Sequence, residues 1–184
     1  MKHTLNLSTI HDHLKRGGII AYPTEGVWGL GCDPYNETAV LRILELKGRE
    51  LEKGLILVAS GLQQIDMLLE GLPLSARQQL QSACPGPDTW LIPDPNQKIP
   101  SWIKGSFATV AVRVSQHPVV KSLCGQCGLL VSSSANPAGK APALSEQEVA
   151  NYFKEEIMIV PGELGGQDGP SRIIDLQSGR VVRS

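Results

Sequence analysis

Short apolar runs closed by glycine or proline alternate along this chain with stretches of helical periodicity, and that alternation constrains the fold more than any other feature. The clearest run is Thr-Val-Ala-Val-Arg-Val at 109–114, which puts Thr109, Ala111 and Arg113 on one face and Val110 and Val112 on the other. Further strands are predicted at 18–22, stopping at Pro23, and at 54–59, 89–92 and 129–131. Between them, Ser8 or Thr9 is expected to cap a helix running to Arg16, and Asn36 a helix to Leu46 that Gly48 ends. Ser75 with Gln78, and Ser145 with Glu148, read as capping boxes for two more helices, and another begins near His117. Residues 172–176 and 180–183 flank Gln177-Ser178-Gly179 as a hairpin, so the sheet should be mixed rather than purely parallel.

With 184 residues, the chain suffices for one domain with a substantial core and scarcely for two, so a single α/β domain over 1–184 is expected. Aromatic residues are 4% of the chain, which leaves the core to aliphatic side chains. The formal net charge of −1 gives no global basic field to attract nucleic acid. The first residues lack the apolar run of a signal peptide, and no apolar stretch approaches the roughly 20 residues of a membrane span. A cytoplasmic location with four reduced cysteines is the expectation. Cys124 and Cys127 have redox-motif spacing but fall at the end of a helix, where the dipole disfavours a thiolate, and so read as structural. The histidines at 3, 11, 13 and 117 have no metal-protease or triad context, and the first three are expected at the surface.

Four segments could carry chemistry. Residues 23–31, Pro-Thr-Glu-Gly-Val-Trp-Gly-Leu-Gly, form either a loop whose backbone approaches a ligand or a plain connecting turn, and they match no standard nucleotide fingerprint. Lys47, Arg49 and Lys53 put three cations within seven residues, which suits a triphosphate but, taken alone, better suits a solvated helix end. Residues 132–139, Ser-Ser-Ser-Ala-Asn-Pro-Ala-Gly, offer hydroxyls, an amide and N–H groups to a carboxylate or phosphate. Arg113, on so apolar a strand, is either ion-paired or aimed into a polar cavity.

Taken in order, 19–34 (IIAYPTEGVWGLGCDP), 45–60 (ELKGRELEKGLILVAS), PGPDTW, TVAVRV, SSSANPAG, GPSRIID and the closing GRVVR resemble the YrdC-type threonylcarbamoyl-AMP synthases, also called TsaC, in their short bacterial form. The resemblance runs from Gly18 to Arg183. It implies a YrdC-like fold, a twisted mixed sheet with flanking helices around a deep cavity. It also implies synthesis of threonylcarbamoyl-adenylate and pyrophosphate from L-threonine, bicarbonate and ATP with Mg2+. The product would pass to a separate transferase complex that modifies adenosine 37 of ANN-decoding tRNAs.

Carried over by position, Lys47 and Arg49 would be catalytic. Arg49, Lys53, Thr109, Ser134, Asn136 and Arg183 would bind ATP, and Thr24, Arg113, Ser132 and Ser171 would enclose threonine. No protein ligand for a metal is implied. Three residues depart from the pattern: Gly26 where a second threonine is frequent, Asp88 where an apolar residue is usual, and Arg172 in place of a threonine. Asp88 and Arg172 have the charges to pair with each other. The competing reading is a non-catalytic RNA-binding or ribosome-maturation factor that uses the same basic cavity. Against it stand the net charge and the lack of aromatic residues interleaved with the basic ones. A second competitor is a carbamoyl-adenylate former with another amine or carbamoyl phosphate, but such relatives carry extra domains.

Overall fold

The computed structural model describes residues 6–184, so His3 lies outside the described residues. In chain order the elements are α1 (Leu7–Lys15), β1 (Ile20–Pro23), β2 (Trp28–Gly31), α2 (Glu37–Lys47), β3 (Ile56–Ala59), α3 (Asp66–Leu69), α4 (Leu74–Ala83) and β4 (Thr89–Pro93). They continue with α5 (Ser101–Lys104), β5 (Thr109–Val114), α6 (Pro118–Cys127), β6 (Leu130–Ser134), α7 (Glu146–Phe153), β7 (Met158–Ile159), β8 (Ile173–Asp175) and β9 (Val181–Arg183).

Among the described residues the strands form one nine-stranded mixed sheet in the order β7-β1-β2-β6-β3-β5-β4-β8-β9. β6 joins its two halves, pairing β3 through Leu130 to Ser132 and β2 through Ser133 and Ser134. The pairs β1–β7, β3–β5 and β4–β8 are parallel, and the closing β8–β9 hairpin is antiparallel as expected.

Both faces of the central strands are covered, which is why they read as unbroken apolar runs. Ile20, Tyr22, Val58 and Leu130 pack with Ile10, Leu14, Val120 and Leu123 of α1 and α6. Their neighbours Ala21, Leu57 and Val131 point the other way, into the larger core with Val40, Ile43 and Val149 of α2 and α7. Val110, Val112 and Val114 join that larger core, so the alternation of β5 sends Thr109, Ala111 and Arg113 to the opposite face.

Asn36 caps α2 through Ala39 N, and Gly48 ends it in the left-handed region at φ 59°. Ser145 caps α7, while the Glu148 carboxylate accepts from Leu144 N. At α1 the cap is Asn6, two or three residues earlier than the Ser8 or Thr9 expected. At α4 there is no capping box: the helix follows Pro73, whose fixed φ sets its entry. The serines at 132–134 are strand rather than loop, and so are Trp28–Gly31. Gly31 must stay bare, since a Cβ there would lie 2.6 Å from the Val131 carbonyl. His13 is half-buried beside Gly18 and lies 3.1 Å from the Ile19 carbonyl, so it is not simply a surface residue as expected.

Candidate functional site

The face covered by α1 and α6 over part of the sheet is bare farther along, and there it forms one wall of a cavity of about 310 Å³. Ser132, Ile56, Ala111 and Leu91 stand side by side in register across β6, β3, β5 and β4, and all four line it. The cavity runs along the sheet face, with Ile56 at the start of β3 and Arg113 near the end of β5 both on its wall.

Of the residues singled out from the sequence, Thr24, Arg49, Lys53, Thr109, Arg113, Ser132, Ser134, Ser171 and Arg183 line this one cavity. Lys104 also lines it but is tied to the buried Asp94 carboxylate at 2.9 Å. No carboxylate lies on the described wall. The chamber is therefore cationic on a partly apolar wall, with Ile56, Leu91 and Phe107 beside the charges, and suited to an anionic ligand.

Each cation is held differently. Arg49 donates through Nε and one terminal nitrogen to the carbonyl of Gly54, at 3.3 and 3.0 Å, and to that of Lys53 at 3.2 Å. Burial pulls its pKa below the usual arginine value. Arg183 donates to the Ser171 carbonyl at 2.6 Å; its pKa is lowered by burial and then by the charge of Arg49. Two guanidiniums that disfavour each other's charge make a site where a polyanion is stabilised by relieving that repulsion. Lys53 pairs with Glu50 at 3.1 Å, but both are exposed, so the pair exchanges readily with other anions.

Arg113 is 7% exposed. Its terminal nitrogen lies 2.9 Å from Glu25 Oε2, while Glu25 Oε1 accepts from Ser115 Oγ at 2.7 Å. The Arg113–Glu25 contact is an ion pair without good hydrogen-bond angles, since Oε2 has no well-aligned donor. Sequence reasoning left open whether Arg113 is paired or aimed into a cavity; it does both. Thr24 donates its hydroxyl to the Val27 carbonyl at 2.7 Å, which shapes the turn. Ser171 shares a hydrogen bond with buried Thr89 at 2.7 Å.

Two candidate residues are not on the described cavity wall. Lys47 is 5% exposed and sends its amine beneath the turn that follows β6, donating to the carbonyls of Ser134 and Asn136. Asn136 turns its amide to the carbonyls of Pro137 and Lys140 at 3.1 and 2.8 Å. Together they fix the shape of the 134–140 turn and, through it, Ser134.

Burial, and after it the charge of Arg49, brings the Lys47 ammonium down to about 8, against roughly 10.4 in an unfolded chain. Between those values the unfolded chain holds more protons, so this residue makes stability rise with pH across that window and withholds the gain below it. Wild type is therefore expected to gain stability relative to Lys47→Met between about pH 7.5 and pH 10 in urea unfolding. A difference that does not change with pH would mean that the ammonium is not shifted.

Asp88 and Arg172 do meet: Arg172 Nε and a terminal nitrogen grip the two carboxylate oxygens at 2.9 and 2.8 Å. Neither lines the cavity. The pair lies beside Thr89 N, which donates to the Arg172 carbonyl at 2.8 Å, and so clips the segment carrying Ser171 to β4. Cys124 is buried with its thiol pushed up to about 12 by burial, in keeping with a structural role. Sequence reasoning missed Glu25 and Gln167, which reach Arg113 from distant segments, and Lys104 and Phe107 of the cavity wall.

An α/β domain that folds a mixed sheet around a cationic cavity without acidic lining has the form of a nucleotide- or carboxylate-handling protein. Comparison with known proteins narrows this. Residues 12–184 match the Sua5/YciO/YrdC family, described as "Telomere recombination", and the chain belongs to that family. It is 51% identical over 181 residues to the threonylcarbamoyl-AMP synthase of Marinobacter nauticus, covering 97% of this chain and 95% of that one. To the threonylcarbamoyl-AMP synthase of Pseudomonas aeruginosa it is 51% identical over 171 residues, 92% of each chain. P. abyssi Sua5 complexed with L-threonine superposes with a TM-score of 0.85 at 31% identity, covering 95% of this chain and 52% of that longer one. E. coli YciO has the same fold, with a TM-score of 0.81 at 20% identity over 97% of this chain and 88% of that one.

Proposed function

We propose that this protein is a threonylcarbamoyl-AMP synthase, forming L-threonylcarbamoyl-adenylate and pyrophosphate from L-threonine, bicarbonate and ATP. The observation that carries the reading is end-to-end identity of about half with synthases of that name, joined to a cavity where every implied cation but Lys47 converges. In this reading the residues on 1–184 act as one YrdC-like domain. Threonine's amine takes up carbon dioxide derived from bicarbonate, the resulting carbamate oxygen attacks the α-phosphorus, and the bond from that phosphorus to the pyrophosphate oxygen breaks.

The protein's part is positioning and charge neutralisation. Arg49, Lys53 and Arg183 hold the phosphates, Thr109 and Ser134 orient the nucleotide, and Lys47 and Asn136 keep the Ser134 turn in place. Arg113 takes the threonine carboxylate, with Thr24, Ser132 and Ser171 closing around the side chain and amine. Among the described residues no group of three His, Cys, Asp or Glu side chains is placed to hold a metal. Magnesium would enter with the nucleotide substrate.

The adenylate then serves a separate transferase complex that builds N6-threonylcarbamoyladenosine at position 37 of ANN-decoding tRNAs, in the cytoplasm. No helix among the described residues is long and apolar enough to cross a membrane. The test is isotopic: with 13C-bicarbonate, threonine and ATP, the purified protein should form an adenylate that carries the label in its carbamoyl carbon. Formation of unlabelled or threonine-free adenylate would refute the proposal.

A further inference from the structure

The Arg113 guanidinium has two acceptors, and they differ in kind. Glu25 is a fixed one: Ser115 Oγ donates to its other carboxylate oxygen at 2.7 Å, and Ser115 itself is buried. The second is the side-chain carbonyl of Gln167, which takes the same terminal nitrogen at 3.3 Å. That is a long bond, to a neutral acceptor, for a group whose charged partners sit at about 2.7–2.9 Å. Arg113 Nε is buried and has no hydrogen-bond partner. The guanidinium is thus incompletely satisfied on a cavity wall that offers it no carboxylate.

Gln167 belongs to the irregular connection between β7 and β8, which also supplies Gly169 and Pro170 to the cavity wall. The connection rests on the 24–27 turn, with Gly165 N donating to the Thr24 carbonyl at 3.0 Å and Gln167 N to the Glu25 carbonyl at 2.8 Å. Gly26 permits this approach: a Cβ there would fall 2.0 Å from the Gly169 carbonyl. The absence of a side chain at 26 and the reach of Gln167 to Arg113 are two aspects of one packed arrangement.

We propose that Gln167 is a stand-in acceptor, which an amino-acid carboxylate displaces from Arg113, and that it thereby sets the affinity of the amino-acid end of the cavity. The inference rests on the reading of Arg113 as the carboxylate partner. A conformer in which the amide occupies the guanidinium does not bind the carboxylate, so the apparent dissociation constant is the intrinsic one divided by the fraction of molecules in which the guanidinium is free. A charged ligand competes well against a neutral amide. A glutamate at the same position would compete far better, because it would bring its own charge.

Isothermal titration of the full chain with L-threonine tests this with three variants. Gln167→Ala is expected to tighten threonine binding about 3- to 10-fold, and Gln167→Glu to weaken it by more than about 10-fold. Arg113→Ala separates the two layers of the argument. If it leaves threonine affinity at the wild-type value, the carboxylate reading fails and this inference fails with it. If Arg113→Ala weakens binding while Gln167→Ala binds threonine as wild type does or more weakly, the stand-in role alone is overturned.

Discussion

Arg49→Ala is expected to lower kcat/KM for ATP by about 100- to 1000-fold, the range seen when one preorganised donor to a developing anion is removed. Arg49 is half-buried, its hydrogen bonds run to the main chain of Lys53 and Gly54, and it lies within electrostatic range of Arg183. Removing it leaves Lys53, which is exposed and paired with Glu50, and a single guanidinium to meet three phosphates. Since these hydrogen bonds are local, the thermal midpoint should move little. Pyrophosphate release measured against ATP concentration reads the effect. Turnover like that of the wild type would take Arg49 out of the site, and loss of the folded state would make it a structural residue.

The second large effect is at Arg113. Arg113→Ala should raise the threonine KM by about 10- to 100-fold, the worth of a charge-assisted hydrogen bond to a carboxylate. The substitution also strands Glu25, whose carboxylate would be left without its cation, and breaking a buried pair costs about 3–5 kcal/mol. The double change Glu25→Gln with Arg113→Gln keeps the shapes and removes both charges, so it should recover most of the lost stability and none of the threonine affinity. Recovery of both would mean that Arg113 is only half of a structural ion pair.

The parts of the fold that were legible in the sequence are those where one physical demand dominates. β5 was read residue by residue because its valines must enter the core while Thr109, Ala111 and Arg113 face a polar space. Gly48 and Asn36 were read because a helix end has few chemical solutions. β2 was not, since Trp28–Gly31 carries two glycines, of which Gly31 is required by the contacts of Tyr22 and Val131, and a strand half made of glycine looks like a loop. β6 was cut short for a related reason: its last residues are serines because they face the cavity, and the polarity hid the strand.

Within the site, the cluster at 47–53 read as either one phosphate cradle or a solvated helix end. The left-handed turn at Gly48 divides it, leaving Arg49 and Lys53 on the wall and Lys47 beneath the 134–140 turn. Glu25, Ser115 and Gln167 meet around Arg113 from positions up to 142 residues apart, and no local pattern announces such a meeting. Asp88 and Arg172 were recognisable as opposite charges, but only the parallel pairing of β4 with β8 brings them together.

The central claim, that the cationic cavity unites ATP with a carbamate made from threonine, is tested most directly by pyrophosphate release from the purified chain with ATP and magnesium. Release should appear only when L-threonine and bicarbonate are both present and should fall to background when either is left out. Release independent of threonine or bicarbonate, or none at all from folded protein that still binds RNA in a salt-sensitive way, would contradict the account and favour a non-catalytic factor.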